Sequence, residues 1–205
     1  MTDQQTLLEL RDINLVYRAQ PALRQLNWTL QSGQHWACVG PNGSGKTSLA
    51  RILSHQATHF SGSYHSSEQL LANGVAYVCF EQAQALCARD RKLDDSEYRA
   101  DAADPGTRVR DIILDGKPAD EQFQAWITRL RIEHILDRGL RYISTGEMRK
   151  TLLVRALLSN PALLILDSPL DGLDHASQQA MHSAIEALLE GQQSLLILCR
   201  QLEDI

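Results

Sequence analysis

No stretch of this chain approaches the ~18 consecutive apolar residues needed to cross a bilayer. The N-terminus, Met1-Thr2-Asp3-Gln4-Gln5, lacks the charged and apolar regions of a secretory leader, so the expected location is the cytoplasm. Cys-x-x-Cys spacing is missing too. Three of the four cysteines, Cys38, Cys79, Cys87 and Cys199, lie in apolar strand-like runs and read as small buried hydrophobes. His55 and His59 stand four apart with no further Cys/His cluster, which argues against zinc. Positive charge is scarce: the net charge is −5, with no Lys/Arg-rich arm, and nucleic acid is not an expected partner. There is no internal repeat and no low-complexity tract.

What is present is ordinary for a globular protein. At 205 residues, 43% hydrophobic and 22% charged, the chain suits one large domain, or a core carrying a smaller inserted lobe. The stretch Gly40-Pro41-Asn42-Gly43-Ser44-Gly45-Lys46-Thr47 fits G-x-x-x-x-G-K-[ST], the phosphate-binding P-loop. Its glycines let backbone N–H groups approach phosphate oxygens without a Cβ in the way. Lys46 supplies a point charge for the β- and γ-phosphates, and the Thr47 hydroxyl is placed to ligate Mg²⁺. A Gly/Ser-rich surface turn would look similar, but the flanks decide. His35 to Val39 reads as a short buried strand leading in, and Thr47-Ser48-Leu49-Ala50-Arg51-Ile52-Leu53 as a helix leading out. Anion binding at a helix N-terminus requires that order.

Leu7 to Tyr17 and Leu23 to Leu30 alternate loosely and predict antiparallel strands beside the site, with turns at Ser32-Gly33 and Ser61-Gly62. Val75 to Phe80 predicts a strand ending at Glu81-Gln82. From Ala83 to about Gly116 the composition shifts to a mixed charge run, Arg89 to Asp95, and a turn at Asp104-Pro105-Gly106, read as an exposed helical or partly mobile insertion. Helices are predicted over Pro118–Leu136, Gly146–Leu158 and His175–Glu190, and strands over Ala162–Leu166 and Leu195–Cys199. The predicted fold is α/β: a P-loop NTPase core with a mainly parallel sheet, an antiparallel β subdomain and an inserted α-helical lobe over about 83–158.

Leu163-Leu164-Ile165-Leu166-Asp167 is a buried strand delivering a carboxylate to its C-terminal edge, where it can serve Mg²⁺ beside the P-loop. Tyr142-Ile143-Ser144-Thr145-Gly146-Glu147-Met148 opens a helix, either as a second anion site or as a simple N-cap on Ser144 or Thr145.

In this order the motifs resemble those of the ATP-binding-cassette (ABC) ATPases over essentially the whole chain. Ser144 to Met148 looks like the family signature, with Thr145 and Glu147 as departures. Gln82 matches the Q-loop glutamine, and Leu170-Asp171-Gly172-Leu173-Asp174 the D-loop. Tyr17 sits where the family stacks an aromatic on adenine, though an ordinary strand aromatic is the other reading. Cys79-Phe80-Glu81-Gln82, the charged insertion after it and Ser144 to Leu153 resemble the N-terminal cassette of ModF-type tandem proteins, associated with molybdate transport and also described as photorepair-like. The family resemblance implies ATP and Mg²⁺ as cofactors, with residues Gly40 to Ser48 on the phosphates and Thr47, Gln82 and Asp167 serving the metal. Ser144, Gly146 and Glu147 would then face the nucleotide of a second cassette, supplied by another copy or a tandem half. Membrane permease subunits at the cytoplasmic face are the partners implied by a transport role, and a ribosome- or nucleic-acid-associated cassette is a further alternative. Family domains run on past residue 205, so one C-terminally incomplete nucleotide-binding domain is expected over 1–205.

Two departures bear on catalysis. The residue after Asp167, ordinarily the Glu that polarises water, is Ser168, and Cys199-Arg200 stands where the family's switch histidine is expected. A serine hydroxyl is no base near neutral pH without an activating neighbour, and loss of a base costs on the order of 10²–10⁴-fold. Weak hydrolysis at the chain's own site is the expectation.

Overall fold

The computed structural model describes residues 5–57, 59–92 and 106–201. The charge run beyond Lys92, the Asp104-Pro105 half of the predicted turn and the last four residues lie outside them. The described chain divides into two compact units, one of residues 1–77, 159–169 and 187–205, the other of residues 78–158 and 170–186.

The first unit holds two sheets. In one, β1 (Thr6–Tyr17) lies between β2 (Gln20–Gln31) and β4 (Ser61–Ser66), antiparallel to both. The loose alternation of β1 has a physical cause. Leu8 and Leu10 are buried at even positions and Ile13 and Leu15 at odd ones, because the register slips between Leu10 and Ile13. Such a bulge changes parity while keeping one face inward. Asp12 and, across from it, Gln25 adopt positive φ, 51° and 46°. Their amides donate to Asn27 Oδ1 at 2.9 Å and Asn14 Oδ1 at 2.8 Å. The same two asparagines donate back, Asn14 Nδ2 to the Asp12 carbonyl and Asn27 Nδ2 to the Gln25 carbonyl. Ser61-Gly62, expected as a turn, lies within β4.

The other sheet has the order β3 (His35–Val39), β7 (Ser194–Cys199), β6 (Leu163–Asp167), β5 (Val75–Val78), with β3, β7 and β6 running parallel. β6 and β7 are central, and every residue of β7 is buried. Leu163, Leu164 and Ile165 are fully buried, each such side chain stabilising by about 1.5–3 kcal/mol. β3 corrects an expectation: it is not a buried strand. It sits at the sheet edge, with Trp36 45% and Val39 43% exposed. Helices α1 (Lys46–Leu53) and α2 (Glu68–Asn73) complete this unit, α1 packing on β2 and α2 on β1.

The second unit is helical. It contains α3 (Phe80–Lys92), α4 (Val109–Leu114), α5 (Glu121–Arg129), α6 (Thr145–Leu157) and most of α7 (His175–Leu189), with single 3₁₀ turns at Glu133–Ile135 and Leu140–Tyr142. Three boundaries differ from expectation, one being the end of the helix predicted over Pro118–Leu136, which stops at Arg129. The predicted strand to Phe80 stops at Val78, because Phe80-Glu81-Gln82-Ala83 opens α3 with an acidic first turn that suits a helix N-terminus. Gln82 is therefore helical and not in a loop. The helix predicted from Pro118 begins at Glu121, where Asp120 Oδ1 accepts from the Phe123 amide at 2.8 Å. Ala83, Leu140, Met148 and Leu152 form a buried cluster joining α3 to α6. Asp90 and Arg141 pair at 3.0 Å with side chains only 4% and 10% exposed, and Asp90 Oδ1 also accepts from the Thr107 amide and hydroxyl. No helix among the described residues is long and apolar enough to cross a membrane.

Candidate functional site

The P-loop leads from the C-terminal end of β3 into α1. Gly45 is the N-cap of α1, at φ 95°, and no side chain caps the helix. A Cβ on Gly45 would stand 2.6 Å from the Ala22 carbonyl, so this position needs glycine for space as well as for φ. The first turn of α1 carries no acid. Its amides and the positive end of its dipole are thus left for an anion.

A pocket of about 460 Å³ opens here, lined by Tyr17, Ala22, Asn42, Gly43, Gly45, Lys46, Thr47, Ser48, Asp167 and Ser168. Eight of the residues singled out in the sequence therefore converge on it from β1, the P-loop, α1 and β6, together with Ser168 beyond β6. Gly40, Pro41 and Ser44, also expected on the phosphates, do not line it. Lys46 Nζ donates to the carbonyls of Gly40 and Pro41, at 2.5 and 3.0 Å, and reaches Ser44 Oγ at 3.5 Å. Lys46 is 9% exposed, so its charge is held inside the loop and not in bulk water. Cys38, behind it on β3, has its thiol pushed up by burial, which the Lys46 charge opposes. That thiol stays protonated and inert.

Asp167 ends β6 at the pocket edge. Its Oδ2 accepts from Thr47 Oγ1 at 3.0 Å and from the Tyr77 hydroxyl at 2.9 Å, while Oδ1 lies 3.5 Å from Ser168 Oγ. The oxygens of Thr47 and Asp167 are hard donors, and they meet beside the phosphate-binding loop. That donor set fits Mg²⁺. Ser168 adopts φ 50° and its amide donates to the Leu198 carbonyl at 2.8 Å, fixing the step out of β6 onto β7. Among the described residues Asp167 is the only carboxylate lining this pocket. Arg200 is exposed and Cys199 fully buried, and neither lines it.

Sequence reading missed Ala22 and Tyr77. Ala22 lies on β2, just past the β1–β2 turn from Tyr17, and a hairpin reading could have found it. Tyr77 had no such signal, because its contact is with a residue 90 positions away.

The signature stretch is in the second unit. Ser144 is the N-cap of α6 in a capping box: its Oγ accepts from the Glu147 amide at 3.2 Å, and Glu147 Oε2 accepts from the Ser144 amide at 2.7 Å. The cap and the anion-site readings are compatible, since an accepting hydroxyl still has its own hydrogen to give. Burial raises the Glu147 carboxyl, but the Ser144 amide and hydroxyl and the His134 ring, at 3.2 Å, outweigh it and hold it below the usual range. Gly146 is tight against α7, where an added Cβ would meet Ser177 Oγ at 3.1 Å. Asp174 caps α7 by accepting from the Ser177 amide at 2.7 Å, and that bond lowers its carboxyl. Lys150, 6% exposed, is pulled down by burial against the opposing pull of Glu147 and Asp174. Phe80, Ala83, Cys87, Ile143, Ser144 and Met148 line a second pocket, of about 390 Å³, between α3 and α6.

Comparison with known proteins agrees with this layout. A family model described as "ABC transporter" matches residues 23–171. The chain is 35% identical over 178 residues to the ABC transporter ATP-binding protein ModF of Escherichia coli, covering 86% of this chain and 36% of that protein. It is 32% identical over 183 residues to the zinc import ATP-binding protein ZnuC of Yersinia enterocolitica, covering 89% of this chain and 65% of that one. The chain thus spans about a third of the first relative and just under two thirds of the second. Among solved structures, a nucleotide-free ATP-binding cassette from an ABC transporter superposes with a TM-score of 0.73 at 19% identity, over 97% of this chain and 83% of that one.

Proposed function

This chain belongs to the ABC transporter family, and from that membership we propose that it is a cassette that binds Mg-ATP, closes against a second cassette and turns over its own ATP weakly. Lys46 and the amides of the P-loop and first turn of α1 hold the phosphates, and Tyr17 stacks on the base. Thr47 and Asp167 hold the Mg²⁺. Bound there, the metal would neutralise charge on the transferring phosphoryl group. Ser144 and Gly146 would meet the nucleotide of the partner cassette, either a second copy or another cassette of a longer protein.

The observation that carries weak turnover is the pocket lining. Asp167, the one carboxylate lining the pocket among the described residues, already accepts from two hydroxyls at Oδ2, and the adjoining position offers Ser168 in place of a base. The test is ATP binding and single-turnover hydrolysis by the purified chain, with Lys46→Ala and Ser168→Glu alongside. We expect binding without appreciable cleavage, loss of binding in Lys46→Ala, and a gain of about a hundredfold in cleavage in Ser168→Glu. Cleavage by the unaltered chain at about 1 s⁻¹ or faster, within the usual enzymatic range, would refute the weak-turnover reading.

One observation favours a second reading. Both relatives carry names of transport ATP-binding proteins. On that reading the chain is an active ATPase subunit energising membrane permease subunits, and the fast-cleavage outcome would put it first.

A further inference from the structure

Tyr77 is the hydroxyl-bearing side chain of β5, 6% exposed. Its oxygen donates to Asp167 Oδ2 at 2.9 Å, the atom that also accepts from Thr47 Oγ1 at 3.0 Å. Two donors arriving from different elements, β5 and α1, fix the rotation of the carboxylate about its Cβ–Cγ bond. They concentrate on one oxygen. The other, Oδ1, is left on the side of Ser168, whose Oγ stands 3.5 Å away, and both residues line the pocket.

We propose that Tyr77 is a positioning residue for the metal-binding carboxylate. It orients Asp167 so that one carboxylate oxygen is spent inside the protein and the other is presented to the pocket. The inference rests on the Mg-ATP reading above. A neutral phenol is suited to this work: it donates one directional bond without neutralising the negative charge the cation needs. Outer-shell partners of metal ligands act in this way, and their loss typically weakens metal binding. Thr47 alone would leave Oδ2 a single tether, from a hydroxyl that is itself a metal ligand in the reading above. Tyr77 provides a second tether that does not change when the metal arrives.

A buried tyrosine also needs a hydrogen-bond partner for the sake of the fold alone, so the experiment must separate the two roles. Binding of a fluorescent ATP analogue is titrated against Mg²⁺ for the unaltered chain and for Tyr77→Phe, with parallel titrations in EDTA and thermal melts without nucleotide. The expected result is a rise of about tenfold in the Mg²⁺ concentration giving half-maximal enhancement, with metal-free nucleotide affinity unchanged. A merely structural hydroxyl would lower the melting temperature and leave that midpoint within about twofold of the unaltered chain, which would overturn the proposal. A cycle with Asp167→Asn is the second measurement: Tyr77→Phe should add no further shift once the carboxylate is gone, and additive shifts would also overturn it. If the unaltered chain shows no Mg²⁺-dependent binding, the nucleotide reading itself fails and takes this inference with it. That outcome is visible before the variant is examined.

Discussion

Glu147 shows how one residue can be read and misread from sequence. In the signature stretch, where the family usually has Leu-Ser-Gly-Gly-Gln, it reads only as a departure from the final glutamine, yet in the structure it is half of a capping box. Glutamine and glutamate both serve that box, so the substitution keeps the helix start and adds a charge. Its carboxyl is held below the ordinary glutamate value. A depressed folded-state value contributes stability that is fully present above the unfolded-state pKa, about 4.3, and is lost as pH falls through the folded one. We therefore expect Glu147→Gln to be less stable than the unaltered chain at pH 7, and the difference to shrink as the pH is lowered below about 4, measured as urea midpoints along a pH series. Lys46, Thr47 and Asp167 were legible because their motifs fix residue type at fixed spacing. Tyr77 was not: no local pattern reveals which buried hydroxyl will meet a carboxylate on another strand.

At the scale of elements, most strands and helices could be read from their apolar periodicity, and the misreadings have identifiable causes. β1 looked irregular because its alternation is interrupted at Asp12, and only the paired bulge on β2 explains why the strand continues. Phe80, the first residue of α3, was read as the end of a strand because Val75 to Phe80 is apolar throughout, while the helix start there is signalled only by Glu81. The β1–β2 turn is a strained one. Arg18 and Ala19 both take positive φ, 46° and 67°, in a two-residue connection between Tyr17 and Gln20 that ordinarily favours Asn-Gly. Replacing the pair by Arg18→Asn with Ala19→Gly should stabilise the protein by about 1 kcal/mol, after the greater freedom of glycine in the unfolded chain takes back part of the gain. Chemical denaturation measures it. Nucleotide affinity should hold, since neither side chain lines the pocket.

For the whole molecule, the α/β class, the parallel core and the separate helical unit follow from the order of motifs, whereas strand position within a sheet does not. An apolar pentapeptide such as His35-Trp36-Ala37-Cys38-Val39 reads the same at the centre of a sheet as at its rim. Here it is the rim: among the described residues β3 pairs with β7 alone. Its outer row of N–H and C=O groups, flanked by exposed Trp36, Ala37 and Val39, is a template on which another extended chain can nucleate. The strand that aims the P-loop is therefore also the segment through which concentrated protein should aggregate. Ala37→Lys, a charge on that edge, should raise the concentration at which light scattering first appears, without altering nucleotide binding.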